Sequence, residues 1–103
     1  MEPDIFDTLW EVIEQRAVDS SGKKSYVRSL LFHEKGLDKS LEKVGEEAIE
    51  YVLAVKGGDP ERITSEAADL IFHLMVSLKA ADISFDAVKE ELSVRRAGMN
   101  LHD

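Results

Sequence analysis

The four residues GGDP, positions 57–60, decide the fold that we predict for this chain. Two adjacent glycines favour the end of one helix, and Asp59 followed by Pro60 is typical of the cap and first turn of the next. The apolar pattern on either side predicts two long helices, over residues 38–56 and 60–81. Because the turn between them is so short, these helices should be antiparallel neighbours.

Working outward, the helical spacing of apolar residues predicts three further helices and no strand. They cover residues 4–18 with Pro3 in the first turn, residues 26–33 ended by Gly36, and residues 85–96 capped by Ser84, while Asp38 should cap the first long helix and residues 19–25 should form a loop. The expected fold is all-α, a helical bundle of four to five helices in one domain, residues 1–103.

Composition narrows the possible functions. With 103 residues and 44% hydrophobic content the chain can form a core, although a modest one that oligomerisation would help. Two long helices with broad apolar faces predict a homodimer. A net charge of -8 argues against bulk binding to nucleic acid or anionic membrane, and the absence of cysteine excludes thiolate metal sites. Without a membrane-spanning run or a basic leader, we expect a cytoplasmic protein.

The first long helix carries a dense group of charges in KVGEEAIEY, residues 43–51. On a helical wheel its acidic and basic side chains share one stripe about 100° wide, beside the apolar face. The members of this stripe are Lys39, Lys43, Glu46, Glu47 and Glu50. Taken alone, such a stripe is typical of a solvated helix face.

The second long helix changes that interpretation, because SEAADLIFHLMVSL, residues 65–78, is apolar on nearly every side. A helix of this kind is usually buried, so its polar stripe, which includes Glu66 and Asp69, should lie inside the molecule. Buried carboxylates are very costly unless they are protonated, paired or bound to a metal. Glu66 and Asp69 should face Glu47 and Glu50, and an all-oxygen set of ligands suits Mg²⁺, with Mn²⁺ as a possible substitute.

Two alternatives remain at this point. Glu66 and Asp69 could instead form buried salt bridges with Lys39, Lys43 or Arg62. His73, one turn after Asp69, is either a core residue or an outer support of the Asp69 carboxylate. We do not expect His73 to bind a metal, because the ferritin-like di-iron pattern places a histidine three residues after the glutamate and this chain has Asp69 there.

Residues 25–78 are similar to a known family. Ser25-Tyr26, Gly36 with Lys39, KVGEEAIE and EAADLIFHLMV together resemble phosphoribosyl-ATP pyrophosphohydrolase, within the wider all-α MazG-like nucleotide pyrophosphohydrolases. With the first helix and the tail SFDAVKEELSVRR, the resemblance covers nearly the whole chain. Lys23 and Lys24 stand before Ser25, where we expect glycine.

The resemblance implies an all-α homodimer that uses Mg²⁺ to hydrolyse phosphoribosyl-ATP to phosphoribosyl-AMP and pyrophosphate, in histidine biosynthesis. Neither nucleic acid nor a membrane is an expected partner. The metal ligands implied by the motif are Glu47, Glu50, Glu66 and Asp69. Glu46, Glu47 and Lys43 would take part in catalysis, with Glu46 as a supporting ligand or as the base for the attacking water. Lys43 would contact phosphate and, with Lys39, Arg28 and Lys24, would bind the substrate.

Two other functions stay open from the sequence. An enzyme of the same fold could act on free nucleoside triphosphates or on dUTP, as MazG and dimeric dUTPases do. A non-catalytic helical dimerisation module would need neither substrate nor metal. Because divalent-ion binding is expected only of the enzymes, it separates these two classes.

Overall fold

A computed structural model describes residues 2–99 and consists of helices joined by short turns. The helices are α1 (Ile5–Val18), α2 (Tyr26–Leu31), α3 (Leu37–Gly57), α4 (Pro60–Ala80) and α5 (Phe85–Gly98). Residues 2–99 contain no strand, and the all-α prediction is therefore confirmed. No helix within this range is both long enough and apolar enough to cross a membrane.

The turn between α3 and α4 forms as the GGDP sequence predicts. Gly58 ends α3 in the left-handed region, with φ of 80°, and its N–H donates to the carbonyl oxygens of Ala54 and Val55. A glycine suits this position because it has no Cβ to oppose a positive φ. The Asp59 side chain then accepts a hydrogen bond from the Glu61 N–H, with Pro60 in the first turn of α4. The two long helices are thus antiparallel and packed along their length.

Three helix boundaries differ from the prediction. Asp4 caps α1 by accepting from the Asp7 N–H, so Pro3 precedes the helix rather than lying in its first turn. Helix α2 ends at Leu31, two residues early, because His33 Nδ1 accepts the Lys35 N–H and closes a turn. Gly36 occupies the N-cap position before α3, and Asp38 lies inside the first turn of the helix instead of capping it.

The hydrophobic core lies where α1 and α2 cross the second half of α4. Its buried members are Ile13, Val27, Leu30, Met75 and Val76. Helix α5 contributes Phe85 at the edge of this cluster and is held to α1 by an ion pair of 2.6 Å between Lys89 and Asp7. The core is therefore small and lies on one side of the α3–α4 hairpin.

The expectation that α4 is buried on all sides is wrong for the single chain. Ile71 and Leu74 are 39% and 43% exposed, and Asp69 is exposed as well. The reason is that α1 and α2 cover only one side of the hairpin. On α3, Ile49 and Leu53 are more exposed still, at 62% and 58%.

The molecule is also less compact than a typical domain of its size. Its radius of gyration is 15.6 Å, with extents of 49 × 36 × 26 Å. A compact chain of this length would have a radius of gyration of about 13 Å. The elongated shape and the apolar side chains on the open side of the hairpin leave a hydrophobic surface that the chain does not cover by itself.

Candidate active site

Three carboxylates converge where the middle of α3 faces the first half of α4. One oxygen from each of Glu47, Glu66 and Asp69 lies within 4.8 Å of the others. The antiparallel hairpin brings Glu47 opposite Glu66, and the three-residue spacing turns Asp69 to the same side of α4. The structure therefore brings together three of the four side chains that the sequence predicts as metal ligands.

The electrostatics of Glu66 reflect this crowding. Its pKa is raised above the ordinary value of 4.5, first by burial and then by the negative charges of Asp69, Glu47 and Glu50. Arg62 opposes the rise but does not cancel it. The charged form of the cluster is thus under repulsion, which a cation would relieve.

Glu50, the fourth predicted ligand, lies outside this group of three. Its side chain is half exposed and approaches Arg62, with 3.8 Å between Oε2 and Nη2. Arg62 also lies 4.0 Å from Glu66. A rotation of the flexible Glu50 side chain is needed before it can join the cluster, and its role as a ligand stays a prediction.

The alternative of buried salt bridges fits these distances poorly. The Arg62 side chain is 57% exposed and meets Glu66 only at 4.0 Å, so the pair is weak and screened by solvent. Among residues 2–99, no lysine or arginine nitrogen lies within 4.0 Å of the Asp69 carboxylate. Within this range Asp69 therefore has no basic partner, and Glu47 and Glu66 meet basic nitrogens only at 3.8 and 4.0 Å.

Lys43 lies at the edge of the cluster. Its Nζ donates to Glu46 Oε2 at 3.0 Å and lies 3.8 Å from Glu47 Oε1. The hydrogen bond to Glu46 is the main cause that raises the pKa of Lys43, with the charge of Glu47 adding to it. Lys43 thus stays charged beside the carboxylates. Lys39, one turn earlier on α3, is half-buried.

The two other predicted substrate-binding residues line a cavity beside α2. This cavity has a volume of about 620 Å³ and includes Lys24, Arg28 and the ring of Tyr26 in its lining. Arg28 is already engaged, because its Nη1 donates to the carbonyl oxygens of Arg16 and Ala17 at 2.7 and 3.3 Å. In this arrangement Lys24 is free to meet a ligand, whereas Arg28 connects α2 to the end of α1.

His73 is buried, and its contacts differ from the predicted support of the Asp69 carboxylate. Its Nδ1 meets the backbone carbonyl oxygen of Asp69 at 2.7 Å, and its Nε2 meets the Tyr26 hydroxyl at 2.8 Å. The candidate site residues chosen from the sequence do not include Tyr26. The two residues are 47 positions apart, so no local spacing could reveal their contact.

The cluster has the chemistry of a divalent-cation site. Carboxylate oxygens are hard ligands of the kind that Mg²⁺ and Mn²⁺ prefer, and no nitrogen or sulfur ligand lies among the three. The raised pKa of Glu66, and the lack of a basic partner for Asp69 within residues 2–99, are the structural observations that fit a bound cation. The residues present thus suit the metal that the sequence predicts.

Comparison with known proteins identifies the chain. The family model for phosphoribosyl-ATP pyrophosphohydrolase matches residues 6–96. A protein of Methanocorpusculum labreanum called phosphoribosyl-ATP pyrophosphatase is 69% identical over 99 residues, covering 96% of this chain and 95% of its own length. Proteins of the same name from Methanoculleus marisnigri and Methanosarcina barkeri are 54% and 46% identical, covering 89% and 92% of this chain and 94% and 90% of their own lengths.

The fold and these matches define an all-α pyrophosphohydrolase. More narrowly, the chain belongs to the phosphoribosyl-ATP pyrophosphohydrolase family. The resemblance noted in the sequence is therefore confirmed.

Proposed function

We propose that this chain hydrolyses the α–β phosphoanhydride of phosphoribosyl-ATP, giving phosphoribosyl-AMP and pyrophosphate in the second step of histidine biosynthesis. The observation that carries the proposal is the convergence of Glu47, Glu66 and Asp69 in a member of this family. The reaction adds one water across the anhydride: an oxygen–phosphorus bond forms at the α-phosphorus, the bridging bond breaks, and pyrophosphate leaves.

Glu47, Glu66 and Asp69 would hold Mg²⁺ or Mn²⁺, and Glu50 would join them after leaving Arg62. The bound cation would supply the neutralisation of phosphate charge that a triphosphate needs. Binding through the cation explains how an acidic protein, with a net charge of -8, can bind a polyanionic substrate.

The remaining residues of the site act without the metal as intermediary. Lys43 contacts a phosphate oxygen through one of its N–H groups while another stays on Glu46. Glu46 is half exposed and Lys43 fixes the orientation of its carboxylate, and in this proposal Glu46 takes the proton from the attacking water. Lys24 and Lys39 provide further positive charge for the substrate. His73 supports Asp69 through its contact with the backbone carbonyl oxygen of that residue.

The active molecule is a homodimer in which the open side of the α3–α4 hairpin is covered by a second copy. The support is the row of exposed apolar side chains on both helices, such as Ile49, Leu53 and Leu74. Exposed patches of this kind are uncommon on monomers and mark interaction surfaces. The cytoplasm is the expected compartment, since a biosynthetic enzyme of this kind works on cytoplasmic nucleotides.

A comparison of substrates tests the proposal. The purified protein is assayed with Mg²⁺ on phosphoribosyl-ATP, ATP, dCTP and dUTP, and products are identified as pyrophosphate or as single phosphate. We expect the highest kcat/KM for phosphoribosyl-ATP, with pyrophosphate released. A preference for a free nucleotide would assign the chain to the MazG and dUTPase type of activity, and no turnover together with no Mn²⁺ binding in calorimetry would point to a non-catalytic module.

A further inference from the structure

The contact between Tyr26 and His73 connects α2 to α4 beside the carboxylates, and the proposed mechanism does not use it. The Tyr26 hydroxyl lies 2.8 Å from His73 Nε2, and His73 Nδ1 lies 2.7 Å from the carbonyl oxygen of Asp69. His73 is 6% exposed, whereas Tyr26 is 51% exposed. One end of this chain of hydrogen bonds is thus fixed in the interior, and the other belongs to a residue that is half exposed.

The direction of both hydrogen bonds follows from the carbonyl group. A carbonyl oxygen only accepts, so His73 Nδ1 must carry the proton. In the neutral imidazole the lone pair is then on Nε2, and the Tyr26 hydroxyl must donate to it. The phenolic proton is committed to His73, and the phenolic oxygen can offer a ligand only its lone pairs.

The position of the Tyr26 ring is equally well fixed. It stacks on Phe72, with 6.1 Å between ring centroids, and meets the His73 ring edge-on at 5.6 Å. Tyr26 also lines the cavity beside α2 that includes Lys24. Tyr26 therefore lines the cavity and is connected through His73 to Asp69, whose carboxylate belongs to the cluster.

Burial and the carboxylates around Tyr26 keep its hydroxyl protonated. Burial is the largest cause that raises its pKa, and the carboxylates of Glu47, Glu46 and Asp69 raise it further, while Lys43 lowers it. These neighbours also place the hydroxyl in the electrostatic field of the cluster.

We propose that Tyr26 binds the substrate, with its oxygen accepting a hydrogen bond from a hydroxyl of the ribose that carries the triphosphate. This inference rests on the proposed function. A phosphate oxygen is not a suitable partner, because at neutral pH it mainly accepts and the Tyr26 proton is already given to His73. The ribose is the first donor-bearing group beyond the α-phosphate, so it is the part of the nucleotide that reaches Tyr26 when the phosphates lie on the carboxylates.

The test compares Tyr26→Phe with the wild type on three substrates: phosphoribosyl-ATP and its analogues that lack the 2′- or the 3′-hydroxyl of that ribose. Tyr26→Phe keeps the ring and its stacking on Phe72. We expect kcat/KM for the full substrate to fall roughly three- to tenfold, as for the loss of one neutral hydrogen bond. With the wild type, kcat/KM for one of the two analogues should be lower than for the full substrate by this same factor. With Tyr26→Phe, kcat/KM for that analogue should equal the value that the variant has for the full substrate. Tyr51→Phe, at the half-buried tyrosine of α3, is the matched control and should be unchanged on all three substrates.

The outcomes are distinct. Full activity of Tyr26→Phe on phosphoribosyl-ATP would overturn the inference. It would also be overturned if removal of each ribose hydroxyl lowered kcat/KM as much in the variant as in the wild type. If the variant folds poorly in circular dichroism, the wild type alone decides, because indifference to both ribose hydroxyls contradicts the contact. The affinity for Mn²⁺ should not change in Tyr26→Phe, since Tyr26 is not a ligand. A wild type without activity on phosphoribosyl-ATP refutes the proposed function itself, which is a separate result.

Discussion

Replacing Glu66 by glutamine should separate the stability of the metal-free protein from its affinity for a divalent ion. The pKa of Glu66 is raised by burial and by Asp69, Glu47 and Glu50, so its charge destabilises the metal-free fold. The folded state then binds more protons than the unfolded state, and stability falls as the pH rises from 4.5 through the raised pKa. Glu66→Gln removes this charge, and we expect a more stable metal-free protein at pH 7 with a flatter stability profile above pH 4.5.

A divalent ion should stabilise the wild type more than it stabilises Glu66→Gln. Glu66 supplies one of the three converging oxygens, and loss of a ligand should weaken Mn²⁺ binding by at least about 100-fold, the upper end of what loss of an outer-shell partner costs. At an Mn²⁺ concentration 100 times the wild-type dissociation constant, binding stabilises the wild type by about 2.7 kcal/mol. The same concentration stabilises the variant by only about 0.4 kcal/mol. For a domain of this size the difference corresponds to roughly 10 °C or more in Tm.

Thermal unfolding with and without Mn²⁺, at one protein concentration, measures both effects. Glu61→Gln removes an equal charge from an exposed position in the first turn of the same helix and serves as the control. It should respond to Mn²⁺ like the wild type. If Glu66→Gln lowers the Tm of the metal-free protein, or keeps the full gain from Mn²⁺, the electrostatic explanation of the cluster is wrong.

Three further predictions concern other parts of the molecule. Lys43→Met should lower kcat/KM for phosphoribosyl-ATP at least tenfold while Mn²⁺ binding in calorimetry persists, and loss of that binding instead would mean that Lys43 organises the carboxylates. Leu53→Glu, on the open side of the hairpin, should turn a dimer into a monomer in light scattering, whereas Ser93→Glu on α5 should not; a dimer that survives Leu53→Glu would place the interface elsewhere. Gly58→Ala should cost about 1 kcal/mol in denaturant unfolding because of the positive φ at this turn, and an unchanged midpoint would show that the turn adapts.

The parts of the fold that local sequence determines could be predicted well. The GGDP turn follows from the conformational freedom of Gly58 and the capping geometry of Asp59. The start of α5 after Ser84 has the same kind of local cause, since the serine side chain accepts from the Ala87 N–H. The predicted start of α3 was wrong. Propensity rules favour an aspartate as the cap, whereas Gly36, with φ of 61°, precedes the helix without a side-chain hydrogen bond to cap it.

The candidate site could be predicted where helical periodicity determines it. Glu66 and Asp69 share a face by their spacing, and the short turn brings that face to Glu47. Glu50 shows the limit, because the direction of a half-exposed side chain depends on Arg62 across the hairpin. Ser25-Tyr26 contributes to the family resemblance, but the contact of Tyr26 with His73 could not be predicted, since it joins two distant helices through tertiary packing.

The exposure of α4 illustrates a different limit. An apolar helix predicts that something covers it, but the pattern alone does not say whether the same chain does so. In this chain α1 and α2 bury Met75 and Val76, while Ile71 and Leu74 stay exposed. Burial was therefore predicted correctly for the side of α4 that packs on α1 and α2, and wrongly for the side that carries Ile71 and Leu74.

A crystal structure of the protein with Mn²⁺, located by its anomalous scattering, tests the central claim most directly. We predict a peak bound by carboxylate oxygens of Glu47, Glu66 and Asp69, with Glu50 turned away from Arg62 and toward it. A peak confined to other acidic residues, or no peak at a concentration that supports turnover of phosphoribosyl-ATP, would contradict the claim that this cluster is the metal centre.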